Sequence, residues 1–383
     1  MGPARLAGSD VATQHTYEFS LWPNRLLING SSDKMTSRKA KYSSGAHMKS
    51  YAIWNNKGGV GKTYLTFAIA SEYARIHPEK RVIVADMCPQ ANLSEIVLGG
   101  NGKGAAALGK LIKSRRTIGG YFDARTRSAH AITGSETSFL IKGKDFNENM
   151  PDNLYCLAGD PSLEVQAPVI NQLSAVSLPA DSWKNVHLWL KDLITACGNY
   201  LGEPDTTCFI DCNPSFAAYT ELALLAANQI IVPCSSDGSS ARAIDNLGQL
   251  VYGIDVQDAY KAVSFFDRSN HFGAPVPVIH SFVFNRSTQY DKKASKAFSA
   301  MFENIEARAR NLKSKKPSAF QSGELLKFEV PDNHSVAIVS SHLGLPLYDV
   351  KPGSYEVYDT KPQVNNEPIE RYQKAISDLV TSL

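Results

Sequence analysis

The chain has 383 residues, 43% hydrophobic and 20% charged, with a formal net charge of +3; this composition excludes a disordered or fibrous protein. Its length allows two average domains or one large α/β domain with insertions. No apolar run approaches the roughly 20 residues that cross a bilayer, and the opening residues lack the basic start and apolar block of a secretory signal, so the expected location is the cytoplasm.

Residues 1–47 carry six basic residues (Arg5, Arg25, Lys34, Arg38, Lys39, Lys41) against three acids (Asp10, Glu18, Asp33), which leaves 34 of each in 48–383. The body is therefore neutral, and any nucleic-acid surface would have to be a local patch. Ser, Gly, Lys and Arg dominate 30–46 without an apolar period, so 1–47 reads as a flexible N-terminal extension or a vector-derived segment. Gly45-Ala46-His47-Met48 has the form of a cloning junction, with Met48 as the expected natural start. The six cysteines show no paired CxxC spacing, and the nine histidines do not cluster at metal-ligand spacing. Buried free thiols are expected, without a zinc or iron–sulfur site.

The first apolar run, Tyr51-Ala52-Ile53-Trp54, leads into Asn56-Lys57-Gly58-Gly59-Val60-Gly61-Lys62-Thr63. A helical pattern follows, with Leu65, Ala68, Ile69 and Tyr73 on one face. Strand, glycine-rich turn, Lys-Thr and helix form a phosphate-binding loop. Glycines let backbone N–H groups approach phosphate oxygens, and the helix adds the positive end of its dipole. Lys62 would reach the β- and γ-phosphates, and Thr63 would bind Mg²⁺. Further along, Arg81–Asp86 reads as a buried parallel strand ending in a carboxylate. It is followed by Met87-Cys88-Pro89-Gln90-Ala91-Asn92. Residues 99–150 fit no compact strand–helix unit. Their basic set (Lys103, Lys110, Lys113, Arg115, Arg116, Arg125, Arg127) reads as a solvated excursion, or else as a phosphate-backbone contact surface.

A short strand is expected at 154–158. Helical spacing then runs from Trp183 through Val186, Leu190, Leu193 and Ile194 to Cys197, with Asp181 as the cap. The strand Cys208-Phe209-Ile210 ends at Asp211-Cys212-Asn213-Pro214-Ser215, the form in which a strand-end aspartate holds Mg²⁺ through water. Helices are expected over 216–226 and 241–252, and strands over 229–233 and 276–284. The helix-like stretch 291–316 carries Lys292, Lys293, Lys296, Arg308, Arg310, Lys313, Lys315 and Lys316. The chain ends on an amphipathic helix whose apolar face is Ile369, Tyr372, Ile376, Leu379 and Val380. Its polar face is mixed in charge, which favours docking on the sheet over a membrane-targeting role. At least seven strand candidates alternate with helices. The expected fold class is α/β, a P-loop NTPase with a doubly wound, mostly parallel sheet and helices on both faces.

Lys57-Gly58-Gly59-Val60-Gly61-Lys62-Thr63 resembles the deviant Walker A loop of the ParA/MinD family of ATPases, and 86–92 resembles that family's second motif, Asp-x-Asp-Pro-Gln-Gly-Asn. The resemblance covers most of 48–383 and is nearest to the short ParA-type partition ATPases, because no helix-turn-helix module precedes the loop. The spacing to the next aspartate motif is longer than the family usually shows, so an insertion is expected around 99–150.

The resemblance implies Lys57, Lys62 and Asp86 as catalytic residues. Nucleotide contacts come from Lys57 through Tyr64 (Lys57, Gly58, Gly59, Val60, Gly61, Lys62, Thr63, Tyr64) and from Asn285 and Arg286 at the adenine; the alternative for Asn285 is an ordinary turn asparagine. Thr63, Asp86 and Asp211 would hold the metal. Lys57 would cross to the partner's phosphates, so that ATP and Mg²⁺ complete a homodimer. That dimer would bind DNA non-specifically and position a plasmid, chromosome or other cargo with a ParB-like or other adaptor protein.

Cys88 departs from the family, which has an aspartate there to orient or activate the attacking water. A thiol is a poor replacement for an ionised carboxylate, so slow hydrolysis is expected. Two other readings stay open: an ATP-binding regulator that hydrolyses little, and a MinD-like membrane-associated positioning ATPase.

Overall fold

The structure is a computed structural model that describes residues 2 and 48–383, except 236, 288–291, 322 and 333. The reading of 1–47, residue 2 apart, lies outside the described residues. Eight strands form the main sheet: β1 (Lys49–Ile53), β2 (Arg81–Met87), β3 (Leu140–Lys142), β4 (Leu154–Leu157), β5 (Thr206–Cys212), β6 (Gln229–Cys234), β7 (Val278–Ser287) and β8 (Lys327–Pro331). Their order is β3-β4-β2-β5-β1-β6-β7-β8. All neighbours are parallel except β3, which runs antiparallel to β4 at the edge. This is the doubly wound, mostly parallel α/β sheet expected. A two-stranded ribbon, Gly353–Ser354 with Gln363–Val364, lies apart from it.

The central strands are continuous apolar runs because both faces are covered. Along β2, Val82 and Val84 enter one core layer while Ile83 and Ala85 enter the other. The helix Lys62–Ile76 and the C-terminal helix Asn366–Thr381 supply the Val82 layer; Trp189–Leu201, Ala218–Ala226 and Gly238–Tyr252 supply the opposite one. The C-terminal helix buries Ile369, Tyr372, Ile376, Leu379 and Val380, the face its spacing picks out, against the helix after the loop and β8.

Four local readings are corrected. Residues 99–150 do not form a loose excursion. They hold the helices Lys103–Lys113 and Ile118–Arg127 and the edge strand β3, with Leu108, Leu111, Ile118, Tyr121 and Phe122 buried. Glycines at close backbone approaches disguise the period: a Cβ on Gly104 would lie 2.1 Å from the Glu95 carbonyl oxygen. Part of the basic set is consumed internally. Arg125 is buried, pairs with Asp192 at 2.7 Å and lies over Tyr121 and Trp189, while Arg115 pairs with Asp123 and Asp160. The single helix expected through Trp183–Cys197 is two, Ser182–His187 and Trp189–Leu201, meeting at Leu188. β8 was not expected at all, since Lys327-Phe328-Glu329 alternates like an exposed edge.

Candidate functional site

β1 ends at Ile53 in the middle of the sheet, beside β5 on one side and β6 on the other. The loop it feeds therefore lies at the carboxyl ends of the strands, where the order reverses and doubly wound sheets bind their ligands. Buried Asn55 braces the entry. Its Nδ2 donates to the Pro233 carbonyl at 2.7 Å, and its Oδ1 accepts from the Lys57 N–H at 3.0 Å. At Gly61 a side chain would be strained and would displace Asn285. The Gly61 φ is +82°, and a Cβ would stand 2.4 Å from the Asn285 amide nitrogen, which itself donates to the Val60 carbonyl at 2.8 Å. Asn285 is thereby placed against the loop. With Gly61, Tyr64, Asp332, His334 and Tyr372 it lines a small cavity of about 40 Å³. The Arg286 side chain lies outside the described residues.

Lys62 is buried, and its Nζ donates to the carbonyls of Asn55 (3.1 Å) and Lys57 (2.7 Å). Burial lowers its pKa, opposed by the nearby Asp211, Cys212 and Cys88. β2 and β5 pair Asp86 with Asp211 in register, and burial pushes both carboxyls up, Asp211 further because Asp86 is beside it. The two are not equivalent. Asp86 accepts from the Cys88 N–H (3.1 Å), the Ser94 N–H (2.8 Å) and the Ser94 hydroxyl (2.8 Å), and so fixes the turn between β2 and the next helix. Neither oxygen of Asp211 has a hydrogen-bond partner of ordinary geometry among the described residues, although the Thr63 hydroxyl is close enough to pull its pKa down. Buried carboxylates without partners are costly. An orphaned carboxylate beside a loop threonine fits a divalent cation of the Mg²⁺ type.

Cys88 stands just beyond Asp86. Burial first and the Asp86 charge second push its thiol up to about 11, so it is uncharged at neutral pH. Lys57 points away from the loop. Its Nζ donates to Ser235 Oγ at 2.7 Å and forms an ion pair with Asp237. Asp237 also caps the helix Gly238–Tyr252, accepting from the N–H groups of Ser239 (3.0 Å) and Ser240 (3.2 Å).

The structure thus gathers Lys57 through Tyr64, Asp86, Asp211 and Asn285 at one end of the sheet. Sequence reasoning missed the Asn55 brace, Ser94, and Asp237 with its hold on Lys57. Only the last had a signal, since Asp-Gly-Ser-Ser ahead of an apolar period is a helix start. The larger cavity, about 340 Å³, lies between the helices Gly238–Tyr252 and Lys292–Lys315 and is lined by no loop residue. Its rim is closed by the ion pairs Arg308–Asp245 and Lys315–Asp255, which engage two of the basic residues of 291–316. The side chains of Lys292, Lys293 and Lys296 lie outside the described residues.

No curated protein sequence matches the chain. Among solved structures, apo McdA of Cyanothece is similar at 14% identity and a TM-score of 0.53, over 87% of this chain and 99% of that one. An ATP complex of a Cyanothece McdA variant gives 14% and 0.54, over 88% and 97%. A plasmid partition protein from Borrelia burgdorferi gives 14% and 0.46, over 88% and 100%. At such identity the McdA likeness is one of fold. The profile of the CobQ/CobB/MinD/ParA nucleotide binding domain (CbiA) matches residues 51–342. That span runs from β1 past β8 and takes in the loop and both strand-end aspartates, so the chain belongs to the CobQ/CobB/MinD/ParA nucleotide-binding family.

Proposed function

We propose that this chain is a Mg²⁺-dependent ATPase acting as an ATP-dependent dimerisation switch of the ParA type. The observation that carries the reading is the convergence of Lys62, Thr63 and the Asp211 carboxylate, which has no hydrogen-bond partner of ordinary geometry among the described residues, at the ends of β1 and β5. Phosphates would lie on the N–H groups of 58–63 and the helix N-terminus. Thr63 and Asp211 would hold Mg²⁺, which supplies charge neutralisation across the β- and γ-phosphates. Asp86, with three protein donors on its two oxygens, orders the turn that carries Cys88. Lys57 must leave Asp237 before it can serve a partner subunit's phosphates. ATP-bound dimers would then bind DNA non-specifically and position a cargo with an adaptor protein, as the family resemblance implies.

The test is nucleotide binding, turnover and light scattering on one sample. ATP with Mg²⁺ should convert monomer to dimer, and Lys62→Ala should weaken ATP binding more than tenfold. A chain that stays monomeric at saturating ATP would sink the switch. One observation favours a second reading: the uncharged Cys88 thiol supplies no base, which suits a regulator switched by occupancy. ATP-dependent dimers without measurable turnover would select it.

A further inference from the structure

The hydrolytic reading leaves a gap, because position 88 offers a thiol and Asp86 is fully engaged. The adjacent strand fills it. β5 ends at Cys212 and β2 at Met87, which face each other in register, and Asn213 and Cys88 are the residues that follow. Asn213 and Cys88 therefore leave the two strands side by side, two residues beyond the aspartates. Trp54, the residue after β1, donates to the Asn213 carbonyl, so the pair lies at the carboxyl ends of β1, β2 and β5, where the loop and Asp211 also lie.

Asn213 is held from three directions. Its carbonyl oxygen accepts from Trp54 Nε1 at 3.1 Å, and its Oδ1 accepts from the N–H of Ser215 and lies beside its hydroxyl, both at 2.9 Å. The Ser215 hydroxyl has a single hydrogen, which goes either to Asn213 Oδ1 or to the Tyr219 hydroxyl 3.0 Å away, because Tyr219 donates its own to Glu164 Oε2 at 3.0 Å. A backbone N–H can only donate, so the Ser215 N–H fixes which way the amide faces. Oδ1 is turned to Ser215, and the NH₂ group faces Cys88, 3.7 Å from its sulfur. An ordinary asparagine turn needs only the Ser215 N–H. The aim of the NH₂ group at Cys88, on the neighbouring strand end, goes beyond it.

We propose that Asn213 is a phosphate-contacting residue of the ATPase reaction, its Nδ2 hydrogens donating to an oxygen of the transferring γ-phosphoryl group, with Ser215, Tyr219 and Glu164 as its positioning residues. The proposal rests on the ATPase reading above. Water oxygen bonds to the γ-phosphorus, and the bond from that phosphorus to the β–γ bridging oxygen breaks, its electron pair leaving on ADP. Both water protons stay on the product phosphate (ATP⁴⁻ + H₂O → ADP³⁻ + H₂PO₄⁻). No carboxylate base is then required, and a fixed neutral donor stabilises charge on the phosphoryl oxygens as the bond breaks.

The experiment compares wild type with Asn213→Ala, Asn213→Asp and Tyr219→Phe, measuring ATP and ADP affinity, kcat, and affinity for ADP with aluminium fluoride as transition-state analogue. Asn213→Ala should lower kcat on the order of 100-fold and weaken the aluminium fluoride complex in parallel, with ATP and ADP affinity within twofold. Asn213→Asp keeps the Ser215 bonds and the shape, so it tests the donor even where alanine disturbs the turn; it should be as slow as alanine. Tyr219→Phe should fall between. An unchanged kcat in both Asn213 variants, or equal losses in ADP and aluminium fluoride affinity, would overturn the proposal while leaving the ATPase reading intact. A wild type that binds ATP without hydrolysing it would also overturn it and leave the occupancy switch. Failure of the wild type to bind ATP would remove the ATPase reading itself.

Discussion

Lys57 and Lys62 stand five residues apart in one loop and are held in opposite ways. Lys62 is folded under the loop onto backbone carbonyls, where a phosphate can replace its partners without moving the chain. Lys57 is tied to an exposed aspartate on a neighbouring helix. Lys57→Ala should leave ATP binding largely intact and abolish ATP-dependent dimers in light scattering; undiminished dimers would end the cross-subunit role. Asp237→Asn keeps a capping acceptor, so thermal stability should change by no more than about 0.5 kcal/mol, while the freed lysine should let dimers form at lower ATP. An aspartate at position 88 would supply the carboxylate that the family resemblance places there and the thiol does not. Cys88→Asp should therefore raise steady-state turnover, and if it does not, the thiol is not what limits the reaction.

At the scale of elements, the periodicity that could be read was the periodicity that packing preserves. β1, β2, β5 and β6 each hold a contiguous apolar stretch (51–53, 82–85, 208–210 and 230–234) because they are covered on both faces, so their signal survives without context. β3 has three residues, and β8 carries Lys327 and Glu329 on an edge; neither has enough apolar length to show. The break at Leu188 replaces one expected helix by two, since apolar spacing continues across it and marks only which side faces the core. The C-terminal helix was legible because its apolar stripe is narrow and its other face charged. Ile376 lies in that stripe with no solvent exposure. Ile376→Ala should cost about 2–5 kcal/mol, read in thermal or denaturant unfolding; a loss well below 1 kcal/mol would mean the helix is not docked as described.

For the molecule as a whole, the central electrostatic fact is two buried carboxyls in register between β2 and β5. A carboxyl raised by burial holds its proton more tightly in the native chain than in the unfolded one. From about pH 4 up to the raised value, the unfolded state binds fewer protons, so stability falls as pH rises. Metal- and nucleotide-free protein should lose thermal stability between about pH 5 and 8. Asp211→Asn should flatten that slope, and so should Mg²⁺ with ATP. Parallel slopes for wild type and variant would show that Asp211 is not the titrating group. Beyond this pair, several of the basic residues that could face nucleic acid are internally paired, Arg125 with Asp192, Arg308 with Asp245 and Lys315 with Asp255.

The sequence by itself determined the loop, the two strand-end aspartates and the doubly wound class, because each is written in contiguous residues whose chemistry or period is local. Tertiary structure alone decided what each group does there. Asp86 and Asp211 are both aspartates at the ends of apolar strands, and only the fold gives one three donors and leaves the other with the Thr63 hydroxyl nearby and no partner of ordinary geometry among the described residues. Lys57 meets Asp237 across 180 residues of sequence, and the Asn213 amide meets Cys88 across 125. Hydrogen-bond partners are fixed by positions in space, and contiguous sequence records them only where the partners are close neighbours along the chain.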